Sequence, residues 1–360
     1  MGKGGEIRSK VLDGLRGLAV LQVAAYHYFL MGPMSSDWVK VFQRLGNVLD
    51  GVTLFFVLSG FLIGGNLLDA RKAPALFRAF YGRRACRILP LYAVLLISFV
   101  FVRLVDARMK WGFIYYWHSE IPFWHYLVFW QNNTFSSLRY LGAPWLVVTW
   151  SLAVEQQFYL VIPPVIRFVT QRWLLLVVCV SCMLAAVWHR LAFPDFTYLL
   201  VDRLDAFAAG LLMAICVRSE AGRELKAGNR RALRLLLITY GVILFGMRAG
   251  GGSCTVIDNP LVASLMYALW IWLLVDDTPW WPVRPVLGLL APIGQWSYFI
   301  YLFHLPVVYL FTVFFPVATP AALLLTIALA AFSYRYFEEP LIRWGHRLQY
   351  GTPDASQERS

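Results

Sequence analysis

The stretch Asp13-Gly14-Leu15-Arg16-Gly17-Leu18-Ala19-Val20-Leu21-Gln22-Val23-Ala24-Ala25-Tyr26-His27 decides how the rest of the chain is read. It opens the first long apolar run, yet it carries an acid, a guanidinium and an imidazole. Ionisable groups inside a membrane span are costly, so they mark a functional site that faces the protein interior. Arg16 and His27 are eleven residues apart. That is three helical turns plus roughly 20°, so the two share one helix face. Their axial separation is about 16 Å, roughly half the hydrocarbon thickness. Such a helix holds a cation near its entry end and a proton-transfer group deeper in. The competing reading has Arg16 snorkelling to the interface and His27 as a satisfied structural histidine.

Outward from this stretch, the composition sets the class. Of 360 residues, 59% are hydrophobic and 14% charged, with a mean hydropathy of +0.61. An ordinary soluble domain is excluded, and an all-α polytopic membrane protein is expected. Ten apolar segments read as spans: 12–31, 51–68, 88–106, 145–166, 173–191, 203–217, 233–248, 260–275, 295–315 and 320–337. The net charge of +12 fits either nucleic acid or cytosolic membrane loops as a partner. With both termini in the cytosol, 23 of the 32 Lys and Arg count as cytosolic, leaving 9 for the other side or in spans near it. The positive-inside rule therefore favours loops, and no nucleic-acid partner is expected. Residues 122–134 are too few to cross, and crossing would invert every later loop. They are expected to form a short interfacial or re-entrant helix.

No cleavable leader is expected, because the first apolar segment carries Arg16 and His27 and lacks a small-residue cleavage site. The five cysteines show no metal-ligand spacing with histidine, and Cys179 and Cys182 read as small packing residues within one span. Gly250-Gly251-Gly252-Ser253 lacks the Gly-Lys-Ser/Thr of a phosphate loop and reads as an outer connection. One transmembrane domain is expected over residues 1–345, followed by a polar, disordered cytosolic tail over 346–360.

Further ionisable residues recur inside the apolar runs. Arg84 and Arg87 sit at i,i+3 at the mouth of the third span, where two guanidinium forks suit phosphate oxygens. Against this stands ordinary positive-inside charge. Trp150-Ser151-Leu152-Ala153-Val154-Glu155-Gln156-Gln157-Phe158-Tyr159 places Glu155 in the fourth span. Glu155 could orient His27 as a base, or pair with Arg203. Arg203 and Asp205 open the sixth span, and His304 lies in the ninth. Ser59, Gly60, Gly64 and Gly65 in the second span allow close helix approach and need no catalysis. Together Arg16, His27, Glu155, Arg203, Asp205 and His304 exceed what a passive bundle requires.

In order along nearly the whole chain, these segments resemble the acyltransferase-3 family of integral membrane O-acyltransferases. The resemblance rests on Leu12-Asp13-Gly14-Leu15-Arg16-Gly17, the spacing to His27, Phe55-Phe56-Val57-Leu58-Ser59-Gly60-Phe61-Leu62-Ile63, and Arg84-x-x-Arg87. It continues through Trp150–Tyr159, Tyr301-Leu302-Phe303-His304-Leu305-Pro306 and Tyr336-Phe337-Glu338-Glu339-Pro340. It implies about ten spans in a bacterial plasma membrane. It also implies transfer of an acyl group, commonly acetyl, from cytosolic acyl-CoA to a hydroxyl, with no bound cofactor. The acceptors implied are surface or lipid-linked carbohydrates, or small molecules such as macrolides. His27 would be the catalytic histidine, and Arg16, Arg84 and Arg87 would serve the donor. One departure is Thr53, which stands where relatives often carry an acid. Buried Arg, Glu and His also serve carriers, so a transporter or flippase of a polar lipid is the alternative from another class. The absence of an inverted repeat weakens it.

Overall fold

A computed structural model describes residues 3–31, 49–110, 119–138, 142–194, 198–250, 252–275, 283–314 and 319–351. Among them the regular structure is helical throughout, with no strand. The principal helices are α1 (Lys3–Met31), α2 (Gly51–Asp69) and α3 (Leu76–Met109). The short α4 (Phe123–Leu127) and α5 (Gln131–Leu138) precede α6 (Thr149–Phe168), α7 (Arg172–Ala192), α8 (Leu204–Arg218) and α9 (Glu220–Ala249). The set closes with α10 (Pro260–Leu274), α11 (Val283–Gln295), α12 (Ser297–Phe314), α13 (Thr319–Ser333), a π-helical turn (Tyr334–Glu338) and α14 (Glu339–His346).

Each of the ten apolar segments falls on a helix, but the expected count of ten spans is not reached. Five helices, at Gly51–Asp69, Leu76–Met109, Arg172–Ala192, Glu220–Ala249 and Ala321–His346, are long and apolar enough to cross a membrane. A sixth is obtained if α11 and α12, bent by 68° at their junction, form one broken span. The physical reasons are length and polarity. α8 and α10 have 15 residues each, about 22 Å of helix, against roughly 30 Å of hydrocarbon. α1 carries Lys10, Asp13 and Arg16 beside its apolar face. Residues 122–134 hold α4 and the start of α5, both far too short to cross. Most of the expected tail, residues 352–360, lies outside the described residues.

Two helix crossings fix the interior. A Cβ on Gly14 would lie 2.1 Å from the Leu287 carbonyl oxygen, and one on Gly294 would lie 1.7 Å from that of Asp13. Only glycine lets α1 and α11 meet at this distance. α2 crosses α8 in the same manner. A Cβ on Gly60 would be 2.1 Å from the Phe207 oxygen, and one on Gly210 would be 2.1 Å from the Val57 oxygen. The small residues of the second span are therefore packing devices, as their pattern predicts. Around this crossing Phe207 stacks on Phe158 at 4.0 Å between ring centroids and tilts against Phe56 at 4.8 Å. The periphery is the reverse of a soluble surface. α3 exposes Ile97, Phe101 and Leu104, and α9 exposes Leu235, Val242 and Phe245. Apolar residues exposed around long helices are the surface a bilayer covers.

Candidate functional site

Two cavities open within this frame, and they share a wall. The smaller, of about 90 Å³, is lined by Arg16 of α1, Ser59 of α2, Arg84 and Arg87 of α3, Glu155 and Tyr159 of α6, and Tyr298 of α12. The larger, of about 550 Å³, is lined by Gln22, Tyr26 and His27 of α1, Asp50, Trp150, Tyr198 and Arg248. Val52 and Tyr301 line both. Arg16 and His27 thus keep to one helix but serve different chambers.

The arginine chamber sets three guanidinium groups against one carboxylate. Glu155 Oε1 accepts a hydrogen bond from Ser59 Oγ at 2.5 Å and a second from the Tyr159 hydroxyl. Tyr159 stands one turn further along α6, which places its hydroxyl back over Glu155. The Arg84 guanidinium lies over the rings of Tyr159 and Phe80, at 5.4 and 5.8 Å from their centroids. Arg16 contacts Asp13 at 3.4 Å across one turn. The excess of fixed positive charge in a partly desolvated space suits an anion, and each fork can bind two oxygens at once.

The histidine chamber is lined by one guanidinium, Arg248, and one carboxylate, Asp50. Arg248 is paired with Asp258 at 2.8 Å. Asp50 caps α2, accepting at 3.1 Å from the backbone N–H groups of Val52 and Thr53 and at 2.6 Å from Thr53 Oγ1. His27 Nδ1 lies 2.9 Å from the Val23 carbonyl oxygen and 3.1 Å from His304 Nε2. His304 is fully buried, with its Nδ1 at 3.0 Å from the Ile300 oxygen and 2.8 Å from the Tyr301 oxygen. In the wall between the chambers, the Tyr301 hydroxyl meets Ser151 Oγ at 2.5 Å and donates to the Val148 oxygen at 3.2 Å.

Several sequence expectations change with this geometry. Glu155 is not a partner of His27; it faces the arginines, and a second imidazole takes the place expected for it. Nor does Glu155 pair with Arg203, whose guanidinium lies over the Trp150 ring at 5.4 Å. Asp205, buried, accepts from Arg190 Nη2 at 2.7 Å, and its neighbour Asp202 meets His189 Nδ1 at 2.7 Å. This cluster ties the end of α7 to the segment that opens α8 and gives Asp205 a guanidinium partner. His189 and Arg190 carry no motif of their own; their one local signal is their place in the last turn of an apolar helix. In the sequence Ser59 reads as a small packing residue and Tyr301 as part of a motif; the structure adds their hydroxyl contacts with Glu155 and Ser151.

The family model described as an acyltransferase domain matches residues 10–335. The chain belongs to the acyltransferase-3 family. It is 28% identical over 391 aligned positions to a putative peptidoglycan O-acetyltransferase, YrhL, of Bacillus subtilis, covering 93% of this chain and 55% of that protein. It is 27% identical to the peptidoglycan O-acetyltransferase OatA of Listeria monocytogenes, covering 93% and 56%. It is 26% identical to the O-acetyltransferase OatA of Staphylococcus aureus, covering 93% and 57%. The chain spans little more than half the length of these relatives. No solved structure matches it.

Proposed function

We propose that this domain transfers an acyl group, acetyl by analogy with its relatives, from acyl-CoA to a hydroxyl of a cell-envelope carbohydrate. The observation that carries this reading is the pair of chambers meeting at Val52 and Tyr301, one rich in guanidinium and the other holding His27. A donor that is a polyanion at one end and a neutral thioester at the other matches the charge of the first chamber, whose 90 Å³ takes only a part of it. Arg16, Arg84 and Arg87 hold its phosphates or its thioester oxygen. The acceptor enters the larger chamber, where Trp150, Tyr26 and Tyr198 offer aromatic faces to a sugar ring. By the positive-inside rule the arginine chamber opens to the cytosol and the histidine chamber to the outside.

His27 takes the proton of the acceptor hydroxyl as that oxygen attacks the thioester carbonyl. The new C–O bond forms, the C–S bond breaks, and the departing thiolate recovers the proton from His27. Glu155, fixed by Ser59 and Tyr159, sets one carboxylate against the three guanidinium groups. The test is purified protein in nanodiscs given [14C]acetyl-CoA and a muramyl oligosaccharide. Stoichiometric free thiol and labelled ester are expected, and both are expected to vanish in His27→Gln. Binding of acyl-CoA with no thiol release under any acceptor would replace the enzyme by a carrier.

A further inference from the structure

The two imidazoles in the histidine chamber constrain each other's protons. Their rings stand 5.0 Å apart at a tilt of 43°, with His27 Nδ1 and His304 Nε2 at 3.1 Å. His304 Nδ1 faces two carbonyl oxygens, of Ile300 at 3.0 Å and Tyr301 at 2.8 Å. A carbonyl oxygen only accepts, so this nitrogen must bear a hydrogen. In the neutral ring the lone pair then resides on Nε2, directed at His27. His27 Nδ1 lies between that lone pair and the Val23 oxygen at 2.9 Å, so it too faces acceptors and must bear a hydrogen. The lone pair of neutral His27 is left on Nε2. Among the described residues that atom has no hydrogen-bond partner, and the ring lines the larger cavity.

We propose that His304 is the positioning residue of the reaction: its Nε2 lone pair, beside the Val23 oxygen, holds His27 in the Nδ1–H tautomer and in the ring orientation that presents Nε2 to the acceptor hydroxyl. The opposite tautomer would set the His27 Nδ1 lone pair against the Val23 oxygen and the His304 lone pair at once. When His27 Nε2 accepts the hydroxyl proton, the Nδ1 hydrogen is shared more strongly with His304 Nε2, and the positive charge spreads over both rings. The same proton leaves from His27 Nε2 to the departing thiolate, so His304 ends each cycle as it began. The assignment of a base to His27 is taken from the proposed function; the tautomer itself is independent of that reading.

The experiment uses full-length protein labelled with 15N-histidine in nanodiscs. The His27 signals are identified among the six histidines by their loss in His27→Gln. Wild-type His27 is expected to show a protonated Nδ1 and an unprotonated Nε2. His304→Gln, whose amide oxygen can accept from Nδ1–H, is expected to keep that signature and most of the turnover. His304→Leu leaves the Val23 oxygen as the remaining acceptor for Nδ1–H, so it is expected to raise the Nε2–H fraction above the wild-type level and lower kcat by about 10²-fold, within the range ascribed to general base catalysis, with the donor KM nearly unchanged. A wild-type His27 protonated on Nε2 would overturn the proposal. So would a His304→Leu protein that loses activity with an unaltered His27 signature, since that is a packing effect. If His304→Leu does not fold, the wild-type spectrum and the glutamine variant still decide. Activity persisting in His27→Gln would remove the base, yet leave the tautomer result standing.

Discussion

Removing the Arg84 guanidinium perturbs the arginine chamber at one definable place. A charge-assisted hydrogen bond from a guanidinium to a phosphate or thioester oxygen contributes about 1.5–3 kcal/mol. At about 1.4 kcal/mol per factor of ten, Arg84→Ala should weaken donor affinity by between ~10-fold and ~150-fold. The same side chain lies over Tyr159 and Phe80, so the substitution also forfeits about 0.5–1 kcal/mol of cation–π interaction. Thermal stability must therefore be read beside binding, and a small drop in Tm is expected. Arg84→Lys keeps the charge but loses the planar fork, and it should fall between wild type and alanine. The assay is equilibrium binding of a non-hydrolysable acetyl-CoA thioether to purified protein in nanodiscs, at low and high salt. Wild-type affinity that falls with salt, together with weak binding by the alanine variant, is the expected pattern. A folded Arg84→Ala,Arg87→Ala protein with wild-type affinity would refute the donor role and return both residues to topology signals.

Other expectations concern the base, the packing and the orientation. His27→Gln should insert and fold normally and lower turnover by about 10²–10⁴-fold, measured as labelled ester formed per unit of protein. Gly60→Ala should destabilise the α2–α8 crossing by about 1–3 kcal/mol, because its Cβ meets backbone rather than a movable side chain. Loss of monodisperse protein on size-exclusion chromatography, repeated in Gly210→Ala, would show it; normal yield of both would refute the close crossing. Helix α9 is 30 residues long, about 45 Å, enough to cross the bilayer. In a cysteine-free background, a membrane-impermeant thiol reagent added outside should reach Gly252→Cys and miss Gly228→Cys. The reverse would invert the orientation.

Much of the architecture is visible in the sequence because apolar runs and glycine patterns are local signals. The crossing at Gly60 is an example: its neighbours Phe56 and Phe61 are bulky, so the gap points to a close partner. What stands opposite a helix face is not local. Arg16 and His27 share a face of α1, as their spacing requires, but Val52 and Tyr301 from elsewhere divide the space before that face. Glu155 could be recognised as a buried acid needing partners, and Tyr159 lies within one turn of it. Ser59, 96 residues away, could not be matched to it by any periodicity. The same holds for His304 and His27, separated by 277 positions. Asp205 looked like surplus charge because its partner Arg190 sits at the end of the preceding helix. The count of crossings turns on length: the segments at 203–217 and 260–275 are short in the sequence, and the helices that form there, α8 and α10, have 15 residues each.

The shared wall of Val52 and Tyr301 has an electrical consequence. With the chambers open to opposite sides of the membrane, as proposed, most of the membrane voltage falls across the thin partition between them. A unit charge carried across 100 mV costs or releases about 2.3 kcal/mol. On the proposed reaction, an acyl group passes outward across the partition and the acceptor's proton passes inward to the thiol. Formally these are equal positive charges moving in opposite directions, so a turnover displaces none. Acylation should then proceed at the same rate in energised and fully depolarised proteoliposomes. A proton released instead to the outer solution would leave one outward positive charge uncompensated. Turnover would then slow as the interior is made more negative, and the voltage dependence would reveal where the proton goes.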